Sequence, residues 1–176
     1  SNVTVASASR LSATFGEGMF MVGTTNRGIE TSTDGLTWVA HTIPEGTGGF
    51  TTLTAGVYSV HYTGSMFLAT TTCDDGIAFN PTGASGDWDS TPHPFAASTA
   101  QISVGGATRS FAASGLATAY SDNPSASWTA GGATLIQTDQ HTLATNVNGS
   151  YLPAGSTSGA MVYRTTTGVS WSGSVD

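Results

Sequence analysis

The chain has 176 residues, enough for one domain with a sizeable core. Only 9 % of residues are charged and lysine is absent, yet apolar residues reach 38 % and aromatic ones recur throughout, which separates the chain from a disordered one. A net charge of −7 and a pI near 4.7 argue against nucleic acid and anionic membrane partners, and no apolar run nears the roughly 18 residues of a spanning helix.

Composition sets further expectations. Gly, Ser, Thr and Ala dominate, which fits a β-rich protein with a neutral, hydroxyl-rich surface. The opening "SNVTVASASR" lacks a charged start followed by an apolar run, so no signal peptide is expected, and the Asn2 and Asn148 glycosylation patterns read as chance. Cys73 is alone and stands beside Asp74 and Asp75, without the cationic neighbours that activate a thiol, so it is expected to be inert.

Taken in chain order, four units follow one another. The first, over 7–45, has a strand, a turn at Gly18, the alternating strand Met19-Phe20-Met21-Val22, and a polar turn leading to Trp38. The second, over 54–92, repeats this with Gly64, Met66-Phe67-Leu68-Ala69 and Trp88. The third, over 98–132, has Gly105-Gly106, Phe111 and Trp128. The fourth, over 138–174, has Gly149, Tyr151 and Trp171. The tryptophans stand 50, 40 and 43 residues apart, and an aromatic, Phe20, Phe67, Phe111 or Tyr151, precedes each. Each unit offers four short strands, and no stretch shows a capped 3.6-residue period, so helix is expected to be nearly absent.

A period of this length with four strands per unit predicts an all-β fold: a small propeller of about four antiparallel blades in one domain. A lone four-stranded meander cannot bury both faces, whereas stacked meanders can. Each Trp is expected to anchor its hairpin against the next blade. The simplest arrangement is a ring of four blades, with "NVTVASA" pairing with the last one. Association of chains into a larger ring, or a longer propeller of which this is a piece, are the alternatives.

The stretch Ser32-x-Asp34-Gly35-x-Thr37-Trp38 resembles the Asp-box, or BNR repeat, of sialidase-like β-propellers. The resemblance implies a turn between the third and fourth strands of a blade, organised by the hydroxyl and the Asp, with the Trp packed between blades. The turn set is Ser32, Asp34, Gly35 and Trp38, then Trp88, then Asp122 and Trp128, then Gly168 and Trp171, with Thr167 standing where Asp34 stands. A sialidase would also bring an arginine triad, a Tyr–Glu nucleophile pair and an acidic Asp to the axis. The arginines are Arg10, Arg27, Arg109 and Arg164, the Arg-Ile-Pro signature is missing, and Glu17, Glu30 and Glu45 all fall in the first unit. No catalytic residue is assigned, and the protein is not expected to be an enzyme. His41, His61, His93 and His141 lack ligand spacing, and Asp74-Asp75-Gly76 lacks the spaced oxygens of a Ca²⁺ loop, so neither metal nor cofactor is expected.

Two readings of function follow. The first is a structural or adhesive module on the exterior of a virus particle, a bacteriophage tail, collar or capsid decoration made in the host cytoplasm. The composition and degenerate boxes resemble such proteins. Its partners would be other virion proteins, further copies of itself and a host surface glycan. The second is a secreted carbohydrate-binding propeller. A remnant glycoside hydrolase is a third, weaker reading. Tyr58, Tyr62, Tyr120 and Tyr163 are the candidates for stacking on a sugar face.

Overall fold

The computed structural model describes residues 10–25, 28–42, 56–70, 76–84, 86–95, 102–106, 109–114, 117–134, 141–147, 150–155, 161–164 and 172–175. Of these, residues 10, 42, 102–103, 132–134 and 141–175 are described by backbone alone. Among the described residues every regular element is a strand. The first sheet holds β1 (Arg10–Gly16), β2 (Met19–Thr24), β3 (Gly28–Ser32) and β4 (Val39–Thr42). The second holds β5 (Ser59–Tyr62), β6 (Phe67–Thr70), β7 (Gly76–Asn80) and β8 (Asp89–Pro92). The third holds β9 (Ile102–Gly105), β10 (Ser110–Ser114), β11 (Ala117–Asn123) and β12 (Ser127–Thr134). The fourth holds β13 (His141–Val147), β14 (Ser150–Gly155), β15 (Met161–Arg164) and β16 (Ser172–Val175). Within each sheet the strands lie in chain order and pair antiparallel, so each unit of the sequence is one meander.

Turn chemistry sets the first hairpin. Gly16 pairs with Met19 across the two-residue loop Glu17-Gly18, and both loop residues have positive φ, +50° and +73°. That is the twist a tight hairpin between right-twisted strands demands. Gly18 adopts it freely, whereas Glu17 is a rare non-glycine there.

The sheets stack through opposite faces. Met21 and Ile29 of the first sheet share one core with Val60, Phe67, Ala69, Ala78 and Trp88 of the second. The other side of the second sheet gives Leu68 and Ile77 to a second core with Val104, Ala112, Ala119 and Trp128 of the third. All four residues of β6 are therefore buried. Burying a side chain such as Phe67 or Leu68 contributes roughly 1.5–3 kcal/mol. Ala69 and Ala78 line the first of these cores, and Ala112 and Ala119 the second.

The first strands of the sheets line the inner edge, with β1 packed on β5, β5 on β9 and β9 on β13. Among the described residues no comparable packing joins the β13–β16 sheet to the β1–β4 sheet. An inner strand has one unpaired backbone edge, and hydroxyls of the preceding sheet meet it. Val60 N–H donates to Ser12 Oγ over 2.9 Å, and Tyr62 N–H to Thr14 Oγ1 over 3.0 Å. At the next boundary Val104 N–H donates to Ser59 Oγ over 3.2 Å. Ser59 repeats the place of Ser12: each stands three residues before the aromatic, Phe15 or Tyr62, that pairs across the inner hairpin. The hydroxyl-rich inner strands thus satisfy edges that would otherwise be costly to bury.

Candidate functional site

The register places both the β1–β2 and the β3–β4 turns at one end of the first sheet, because Phe20 pairs with Phe15 on one side and Ser32 on the other. The turn after Ser32 is closed by short side chains. Ser32 Oγ donates to Asp34 Oδ1 over 3.0 Å and accepts from Gly35 N–H over 2.8 Å. Asp34 Oδ1 also accepts from Leu36 N–H at 2.8 Å and Thr37 N–H at 2.7 Å. Gly35 has φ +71°, the left-handed region that favours glycine. Amide donors at Thr37 and Leu36, helped by the Ser32 hydroxyl, hold the exposed Asp34 carboxyl down at a pKa of about 2.

The same corner is built from other residues in the next sheets. In the second, Asn80 Oδ1 accepts from Thr82 N–H at 2.9 Å and Gly83 N–H at 2.7 Å, and Gly83 has φ +74°. Asn80 pairs with Phe67 as Ser32 pairs with Phe20. In the third, Ser121 Oγ accepts from Asn123 N–H at 3.0 Å and donates to Ser127 O. The sequence assigned Asp122 to this turn; the structure corrects that. Alternation along β11 turns Asp122 away from the Ser121 side, and its carboxylate takes two 2.7 Å hydrogen bonds from Arg109, at Nε and Nη2. Arg109 holds the Asp122 carboxyl below its usual range, and it also lies 4.8 Å from the ring centre of Tyr120. The two residues after Ser121 bring Asn123, not Asp122, to the place of Asp34. Gly168 and Trp171 lie outside the described residues.

Trp88 and Trp128 sit on the side of their sheets that faces the preceding sheet. Trp88 is buried with Met21 and Ile29 of the first sheet, and Trp128 with Leu68 and Ile77 of the second. This reverses the expectation that each Trp packs on the next blade. Continuing the β3–β4 register by one residue puts Trp38 across from Ser32, the equivalent place, where it is only half-buried.

Around it the first sheet exposes apolar side chains. Alternation along β1 separates Ser12, Thr14 and Gly16, which face β5, from Leu11, Ala13 and Phe15, which do not. Phe15 is 57 % exposed, its cross-strand neighbour Phe20 41 %, and their rings lie 4.8 Å apart. Leu36, in the turn, is exposed as well. On the same face Val22, Glu30 and Ser32 are buried.

The tyrosine candidates do not converge. Tyr58 precedes β5 and Tyr62 ends it, so they mark opposite ends of the strand. Tyr120 is on β11 under Arg109, and Tyr163 is on β15, described by backbone alone. Tyr62 stacks on Phe67 with ring centres 4.9 Å apart and donates its hydroxyl hydrogen to Glu17 Oε1 on the first sheet. That bond, with partial desolvation, pushes the phenol up from its ordinary pKa. A Tyr–Glu pair thus exists at the turn end of the inner strands, but its phenol is held protonated, whereas a nucleophile needs the opposite shift. Among the described residues no three His, Cys, Asp or Glu side chains could hold a metal ion. Cys73, Asp74, Asp75 and Arg27 lie outside the described residues.

One functional group was missed in the sequence. His61 is buried between the second and third sheets, where its Nε2–H donates to the Gly106 carbonyl. Burial keeps it neutral by lowering its pKa from 6.5. Its place on β5 repeats that of Thr14 on β1, so it serves the same edge-capping role as the hydroxyls. That signal is visible only once the strands are in register.

No family model and no curated protein sequence matches the chain. Solved structures do. An enzyme described as Niastella koreensis GH74 superposes with a TM-score of 0.68 at 20 % identity, over 95 % of this chain and 24 % of its own. YCF48 bound to D1 peptide gives 0.67 at 16 % identity, over 94 % and 55 %. YCF48 from Cyanidioschyzon merolae gives 0.52 at 13 % identity, over 93 % and 57 %. The chain thus spans about a quarter of the first protein and little over half of the other two. With this likeness and its four stacked antiparallel meanders, the fold is a β-propeller.

Proposed function

We propose that the protein is a non-enzymatic structural and adhesive propeller on the exterior of a virus particle, in a bacteriophage tail, collar or capsid decoration. One observation carries the non-catalytic part: the described carboxylates are spent on structure. Asp34 closes a turn, Glu17 holds Tyr62, Asp122 holds Arg109, Asp87 accepts from Thr82 Oγ1 at 2.6 Å, and Asp89 accepts from Ser90 N–H at 2.8 Å. Glu30 is buried and also engaged. Chemistry on glycosides calls for two carboxylates facing a shared cleft. The exterior placement is supported by the lysine-free, hydroxyl-rich composition. Its partners would be other virion proteins through one face and a host glycan through loops on the other, with many copies turning weak contacts into firm attachment.

The propeller likeness is compatible with a binding platform, since the YCF48 structure is described as bound to a peptide. The second reading is a free carbohydrate-binding propeller, favoured by the exposed aromatic pair Phe15 and Phe20. Mass spectrometry of purified particles whose genome encodes the chain decides between them. The expected result is the protein present in particles and inert towards fluorogenic glycosides. Absence from particles together with strong binding of isolated protein on a glycan array favours the second reading. Turnover of a glycoside defeats both.

A further inference from the structure

Three exposed apolar side chains meet at the turn end of the first sheet. The Phe15 and Phe20 rings lie 4.8 Å apart across the inner hairpin. The Phe20 ring reaches the β3–β4 turn, where a Cβ on Gly35 would stand 3.8 Å from it. Leu36 follows in that turn and is 63 % exposed. Behind them Val22, Glu30 and Ser32 are buried, so the open part is the rim of the sheet. Two exposed carboxylates border it, Glu17 in the hairpin between the two rings and Asp34 next to Gly35. Their hydrogen bonds come from neutral donors: the Tyr62 hydroxyl on Glu17, and Ser32, Leu36 and Thr37 on Asp34. The negative charge of each is therefore left at the surface. Asp87 adds a third exposed acid in the β7–β8 turn of the second sheet. The adjoining tips are bare: a Cβ on Gly18, Gly64 or Gly86 would find nothing within 4 Å beyond its chain neighbours.

We infer that this rim docks a basic protein segment, one that presents Arg or Lys side chains beside apolar ones. Charge complementarity chooses the occupant. A guanidinium or ammonium group over a Phe ring is attracted to its face, and Glu17 and Asp34 stand in the same patch to receive the charge. Apolar side chains of the segment would cover Leu36. A second copy of this chain is a poor occupant, because it carries a net charge of −7 and no lysine. A sugar stacks best on one flat platform, whereas these two rings are tilted by 54°. The inference stands on this surface and does not depend on the virion reading.

Fluorescence anisotropy tests it with a labelled peptide of alternating Arg and Leu, beside one of equal charge alternating Arg and Gly. Wild-type protein at low salt is expected to bind the Arg-Leu peptide more than about fivefold tighter than the Arg-Gly one, and to lose affinity as salt rises. Leu36→Ser, at a mostly exposed side chain, and Glu17→Gln, which keeps the acceptor for Tyr62, should each weaken binding more than about threefold. Should either alter the circular dichroism spectrum, Phe15→Ser replaces it. Asp89→Asn is the control. It also removes one charge, but Asp89 shares a face with Phe79 and Leu68 on the other side of the second sheet. It should leave binding unchanged. Equal losses in all three variants, equal affinity for the two peptides, or no binding at about 1 mM peptide would overturn the inference. Capture of an oligosaccharide that Leu36→Ser abolishes, with the peptide unbound, would overturn it too and assign the rim to sugar.

Discussion

Thr37 N–H donates a 2.7 Å hydrogen bond to Asp34 Oδ1, the same oxygen that serves Leu36 and Ser32. One carboxylate oxygen therefore gathers the whole turn, and the charged form is the one that binds. Because the folded pKa is about 2 against an ordinary 3.8, Asp34 adds stability that is fully present above the ordinary value and lost as pH falls towards the folded one. Asp34→Ala should lower the melting temperature at neutral pH and flatten its decline between about pH 4 and pH 2. Thermal unfolding across that range checks this; parallel curves for variant and wild type would remove Asp34 from the turn.

His61 predicts a second, separate pH response. Its neutral form donates to the Gly106 carbonyl, and burial depresses its pKa below 6.5. The unfolded chain takes up the proton first, so stability is complete above about pH 6.5 and falls as pH drops below it. His61→Gln, which keeps a donor and cannot ionise, should flatten urea-unfolding free energies between about pH 6.5 and pH 5. Asp34→Ala should leave that part of the profile unchanged.

Gly16 tests the closeness of the first two sheets. A Cβ at this position would run into the Tyr62 ring. Gly16→Ala should therefore cost about 1–3 kcal/mol through overpacking, although alanine suits a strand better than glycine. Chemical denaturation measures it, and a gain in stability would mean that the sheets lie farther apart than the structure shows.

In the third sheet, Ser121 and not Asp122 holds the turn. Ser121→Ala, at a buried hydroxyl with two partners, should cost about 1 kcal/mol or more. Asp122→Asn should change the melting temperature little, because its pair with Arg109 is solvent-exposed and screened by salt. Equal losses for the two variants would restore the turn role to Asp122.

The contrast at Ser121 and Asp122 shows where the sequence was legible. Trp spacing and glycine turns revealed the four meanders, and the Ser32–Trp38 stretch revealed its own corner, because those signals are local. Register was not legible. Phe111, which matches Phe20 and Phe67 in the sequence repeat, pairs with Tyr120, while Ser110 pairs with Ser121 and holds the equivalent place. A slip of one residue turns a side chain to the opposite face, and turns of unequal length hide such slips. The inner-edge caps Ser12, Thr14, Ser59 and His61 were hidden for a related reason. Their partners are about 45 residues away, and two are serines in a chain full of serines.

The repeat of one stacking face from sheet to sheet is tested most directly by comparing two tryptophans. Trp88 is buried against the preceding sheet, and Trp38, at the equivalent place, has no preceding sheet among the described residues. Denaturant unfolding of the two variants makes the comparison. Trp88→Ala is expected to cost about 3–5 kcal/mol, and Trp38→Ala clearly less. Equal costs, or a larger loss at Trp38, would contradict the stacking described for these sheets.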